Sequence, residues 1–167
     1  MMPASLPSGL TVGFVYSTAL TSSVIEYSES GVGPSHATTL VAPGLVIDAR
    51  FSGGVAMRPV SYLSGSTVQW YRLPGTETAV DRAIAFLHSQ CGQSYDWQDI
   101  LAFAVPNAFK RLTGAQHPWM CSYLALAAQL KGQLLPVPPV GAERINPFEL
   151  LLMDVAAGAL ALSGPEF

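Results

Sequence analysis

Charge is scarce in this chain. Asp, Glu, Lys and Arg make up 11% of its 167 residues, and only 8 of these are Lys or Arg. Those residues form no cluster and the formal net charge is -3, so the basic footprint that a nucleic-acid backbone requires is missing and no nucleic-acid partner is expected. Long apolar runs are missing as well. A membrane-spanning helix needs about 18 or more consecutive apolar residues; the nearest stretch, FELLLMDVAAGALAL from Phe148, is shorter and carries Asp154. No Lys or Arg precedes Arg50, which leaves MMPASLPSGLTVGFVYS without the basic start of a secretory signal, so a cytoplasmic location is expected. Two cysteines are too few for the disulfide framework of a small secreted scaffold, and reduced thiols are expected. No Cys/His group has metal-ligand spacing and no phosphate-cradling glycine loop occurs, so no cofactor is implied.

What the chain has instead is apolar content: half of its residues are hydrophobic and its mean hydropathy is +0.35. That composition calls for a large core, and the length suits one domain over residues 1–167. LTVGFVYS (Leu10 to Ser17) reads as a strand, followed by SSVIEYSES as a short helix or turn. HATTLVAP and LVIDARFSGGV flank Pro43-Gly44 and read as a hairpin, and STVQWYRLPG (Ser66 to Gly75) reads as the next strand of a meander. From Thr76 the period changes. Val80, Ile84, Leu87 and Cys91 recur at helical spacing as a core-facing stripe, with Gly92 placed to terminate the helix. Further helical patterns are WQDILAFAVPNAFKRL, broken by Pro106, and WMCSYLALAAQLKG, ended by Gly132. After the Pro-rich LLPVPPVG, NPFELLLMDVAAGALAL closes the chain as a helix with Asn146 as N-cap and Pro147 in the first turn. Strands first and helices second imply an α+β fold with an antiparallel sheet packed against helices.

A thiol becomes a useful nucleophile when its pKa falls, and both a helix N-terminus and a neighbouring imidazolium have that effect. Cys121 stands at the front edge of a helical pattern, although a free cysteine in such a place is also an ordinary small core residue. Cys91, at the far end of its helix, reads as structural. Three histidines are candidate partners for Cys121. His88 lies one residue off the apolar stripe of its helix, His117 precedes Pro118, and His36 opens a strand after a Gly/Pro/Ser loop. A catalytic imidazole also needs an acceptor on its other nitrogen. Asp48, on the partner strand of the hairpin, can supply it through a longer loop, a bulge or a diagonal contact. The competing reading is a surface Asp on the same side of its strand as Arg50.

Taken in order, GPSHATTLV, VIDARFSGGV, GQSYDWQDI, WMCSYLALAAQLKG and INPFEL resemble the circularly permuted papain-like cysteine hydrolases, the YiiX-like branch of the NlpC-type superfamily. The likeness spans about residues 10 to 150. It implies a permuted papain-like fold, Cys121 as nucleophile, His36 as general base and acid, and Asp48 as the group that orients the ring. It also implies that Tyr95 helps stabilise an oxyanion beside the backbone N–H of Cys121. The implied reaction is hydrolysis of a peptide, isopeptide-like or other acyl bond, with peptides, peptidoglycan-like peptides or lipid acyl groups as substrates. Acyl transfer to a lipid or amine is the nearest alternative. A non-catalytic module of a phage or cell envelope is the other. Cys121-Ser122-Tyr123 departs from the Cys-Ser-Glu pattern of that branch, which bears on the substrate more than on the fold.

Overall fold

The computed structural model describes residues 9–16, 33–50, 52–94, 120–136 and 145–163. Its strands are Gly9–Tyr16 (β1), His36–Ala42 (β2), Leu45–Arg50 (β3), Gly54–Pro59 (β4), Thr67–Pro74 (β5) and Leu160–Leu162 (β6). Its α-helices are Glu77–Gln90 (α1), Cys121–Gly132 (α2) and Pro147–Ala156 (α3), and a 3-10 turn spans Val60–Leu63. The strands form one sheet in the order β4-β3-β2-β1-β5-β6, and every neighbouring pair is antiparallel. The fold is therefore α+β.

Alternation along the strands makes two faces. On one, Val12, Phe14, Ala37 and Leu73 pack with Ala125 and Leu126 of α2 and with Leu150 and Leu151 of α3. Beside them Leu10, Ile47, Ala49 and Val55 meet Ala83 and Leu87 of α1 and Leu124 and Ala128 of α2. The other face buries Val15, Val46 and Trp70 beneath Leu63 of the 3-10 turn. Helix α2 is the pivot of this arrangement. It contributes to both helix-side clusters, and its approach to α1 is close enough that a Cβ on Gly132 would lie 2.7 Å from the Ala79 carbonyl oxygen.

Local chemistry accounts for the helix starts. The Thr76 side chain accepts a bond from Ala79 N at the head of α1, and Asn146 and Glu149 form a reciprocal capping box at the head of α3. Three expectations are corrected. The meander holds only for β1 to β4, because β5 returns to the far side of β1 and buries Trp70 and Leu73 there. The closing helix ends at Ala156. Gly158 adopts φ +88, a conformation that breaks the helix without steric cost, and the chain turns into β6 against β5. In α1 the deepest residues are Ala79, Ala83 and Leu87, with Val80 and Ile84 flanking; Cys91 is exposed, because the helix terminates there. The helical pattern around Pro106, the segment SSVIEYSES and the centre of LLPVPPVG fall outside the described residues. Among the described residues no helix is long and apolar enough to cross a membrane.

Candidate functional site

His36 is the first residue of β2, anchored by the Ser35 N–H donating to Val15 O at 2.8 Å. The β2–β3 register pairs Thr39 with Ile47 and Leu40 with Val46, then shifts by one residue before Ala42 meets Leu45. Continued along the strands, that register sets Asp48 opposite Thr38, with His36 two residues further on the same face. The counts from the Pro43-Gly44 turn differ by three residues; the bulge absorbs one and the diagonal contact absorbs two. The result is a bond between His36 Nε2 and Asp48 Oδ2 of 2.7 Å, with the Asp48 side chain fully buried and the His36 side chain 18% exposed.

Cys121 is the first residue of α2, and it is 3% exposed. Its sulfur lies near enough to the His36 ring and to the Ala37 backbone N–H for both to lower its pKa. Because Nε2 is taken by Asp48, the ring nitrogen left for Cys121 is Nδ1. The start of α2 is fixed from behind. Buried Ser122 donates its hydroxyl to Ile145 O at 2.5 Å, tying the cysteine's turn to the segment entering α3. Tyr123, in the place where the resembled branch carries an acid, packs against the apolar cluster between β1 and α2.

The electrostatics follow from this geometry. Burial alone would lower the His36 pKa. The Cys121 sulfur and Asp48 outweigh it through charge and hydrogen bonds, and the ring is pushed up to about 10. Burial alone would raise the Cys121 pKa. The His36 charge and bond, together with the Ala37 N–H, outweigh it and hold the thiol below its ordinary value, while the Asp48 charge pulls the other way. Asp48 is also desolvated, but His36, Tyr62 and Arg58 hold its carboxyl below the usual range. The directions of these shifts favour the charged form of all three groups, an arrangement with the chemistry to supply a nucleophile and a proton carrier.

Two members of this cluster were not legible in the sequence. Arg58 of β4 donates from Nη1 to Asp48 Oδ1, and Tyr62 of the 3-10 turn donates its hydroxyl to Asp48 Oδ2. The only signal was indirect, since a buried carboxylate needs a cation. Arg50 was the obvious choice, but its guanidinium lies over the Tyr62 ring, 5.0 Å from the centroid. His88 is exposed near the end of α1, and Cys91 is exposed beyond it. Tyr95 and His117 lie outside the described residues. Among the described residues no three His, Cys, Asp or Glu side chains converge in an arrangement that would hold a metal ion. No protein-family model matches the chain, and no curated protein matches its sequence.

Proposed function

We propose that the chain is a cysteine hydrolase of the permuted papain-like type, acting on a peptide, isopeptide-like or other acyl bond. The observation that carries this reading is the Cys121–His36–Asp48 cluster, in which one imidazole is bonded to a buried carboxylate and lies near enough to a buried sulfur at a helix start to lower the thiol pKa. The order of the parts, with the histidine strand before the cysteine helix, agrees with the permuted arrangement.

In this mechanism the Cys121 thiolate attacks the substrate carbonyl carbon. The resulting oxyanion faces the N-terminus of α2, where backbone N–H groups have no partner within the helix. His36 gives its proton to the leaving group as the carbonyl re-forms, leaving an acyl-thioenzyme. It then takes a proton from water, whose oxygen attacks the thioester, and collapse releases the acid and restores the thiolate–imidazolium pair. Asp48 keeps Nδ1 directed at sulfur and stabilises the charged ring in both halves of the cycle. The resemblance adds Tyr95 as a second oxyanion donor.

A test that needs no substrate is alkylation by iodoacetamide at about pH 5.5, read by peptide mass spectrometry. Cys121 should react at least about ten-fold faster than exposed Cys91, because the His36 charge favours its thiolate form. His36→Ala should remove the preference, and His88→Ala should keep it. Equal labelling of the two cysteines in the folded protein sinks the nucleophile assignment.

A further inference from the structure

Beyond the line of three stands a fourth charged group whose placement is unusually constrained. Arg58 is only 16% exposed. Besides its bond to the Asp48 carboxylate, Nη1 donates to Asp48 O at 3.3 Å and to Ala56 O at 3.1 Å, and Nη2 donates to Gly54 O at 3.2 Å. The guanidinium is therefore clamped into the β3–β4 hairpin by three carbonyls, far more than one ion pair needs. The register explains its reach: Asp48 lies opposite Ala56, so Arg58 meets it diagonally from one side as His36 does from the other.

We infer that Arg58 is a positioning residue whose charge offsets that of Asp48 at Cys121, so that the site holds a carboxylate and a thiolate at once. This rests on the reading of Cys121 as the nucleophile. Asp48 has two opposed effects on the pair beside it. Its negative charge favours the His36 cation and disfavours the Cys121 anion. With Arg58 in place the buried charges alternate from sulfur to guanidinium and sum to zero. Without Arg58 the same interior would hold two anions and one cation. Among the described residues, the other groups facing Asp48 do not supply the missing charge, because Tyr62 contributes a neutral hydroxyl and Arg50 is stacked on the Tyr62 ring. Of these described partners of Asp48, Arg58 is the one that changes the charge count.

The experiment is the pH dependence of Cys121 alkylation by iodoacetamide, with thermal unfolding of each variant as a control for the fold. In Arg58→Met the acid limb should move up by about one pH unit, the lower end of the effect expected for losing an adjacent countercharge. Arg58→Lys, which keeps the charge, should stay within about 0.3 unit of the unsubstituted protein, a margin set well inside that effect. An Arg58→Met limb that superimposes on the original overturns the inference. Should Arg58→Met fail to fold, Asp48→Asn and Asp48→Asn/Arg58→Met carry the same comparison with no unpaired carboxylate. The double variant should then lie about one unit above the single, and coincidence of the two overturns the inference. If the unsubstituted Cys121 itself titrates near the ordinary thiol value of about 8.5, the nucleophile reading falls and the inference falls with it. A depressed limb that ignores Arg58 removes the inference alone.

Discussion

Asp48 shows how much one buried residue can organise. Its carboxylate takes His36 and Tyr62 on one oxygen and Arg58 on the other, and this satisfaction outweighs the cost of burying it. The pH dependence follows from the two shifts. Asp48 is depressed, so its contribution to stability is present above the ordinary carboxylate range and is lost as pH falls through its folded value. His36 is raised, so its contribution is complete below its ordinary value of 6.5 and is lost as pH rises through about 10. Asp48→Asn should therefore cost stability at neutral pH, on the order of 3 kcal/mol because it also strands the Arg58 guanidinium, whose side chain is 16% exposed. The gap from the unsubstituted protein should narrow as falling pH protonates Asp48 in the folded chain. Urea unfolding at pH 7 and pH 3 measures both values, and a gap that widens in acid contradicts the assignment.

At the scale of elements, α2 is held from both sides by different chemistry. Its N-terminus brings the Cys121 sulfur beside β2 and is bonded to Ile145 through Ser122, while Gln129 near its other end donates to Asp154 of α3 at 3.1 Å. Both side chains of this second link are buried, and Asp154 Oδ1 and Gln129 Oε1 have no hydrogen-bond partner among the described residues. Burial pushes the Asp154 carboxyl up to about 7, although the Gln129 bond opposes it. The folded chain therefore keeps a proton that the unfolded chain releases near pH 4, and stability contributed by this pair falls as pH rises from 4 through 7. Asp154→Asn removes that dependence. At pH 8 the variant should be more stable by on the order of 3 kcal/mol, and at pH 4 it should match the unsubstituted protein within about 1 kcal/mol. Equal stability at pH 8 would show that Asp154 is not held as a neutral acid.

For the molecule as a whole, the order of strands decides where rigidity lies. β1 is flanked by β2 and β5 and covered on both faces, so its amides are reached only by large-scale opening. β6 is a three-residue edge strand with Leu160 exposed. Native-state hydrogen exchange should find its slowest strand amides in β1, with β2 beside it, and its fastest in β6. Comparable protection in β6 and β1 would mean that the edge is covered by something beyond the described residues. The site draws on this gradient: His36 sits on an interior strand and Cys121 on the most buried helix, whereas Arg58 comes from the other edge strand, β4, and needs its three carbonyl bonds to stay in place.

Local chemistry was legible before any fold was known. Turn residues at Pro43-Gly44, the change of period at Thr76, the cap Asn146 and the position of Cys121 at a helix start all depend on neighbours within a few residues, so the sequence alone determined the strands β1, β2, β3 and β5, the described helix starts and the α+β class. Even the mismatch between His36 and Asp48 could be counted from the turn, which left a longer loop, a bulge or a diagonal contact, and the register shows the last two. What tertiary structure decided were pairings between segments far apart in sequence. β5 crosses to β1 and a terminal β6 replaces the end of a helix because the sheet edge offers hydrogen bonds and apolar cover that no local pattern encodes. Arg58 and Tyr62 reach Asp48 for the same reason. A strand pattern tells which residues share a face, but only the register between strands tells which side chains touch, and a shift of one residue moves every contact.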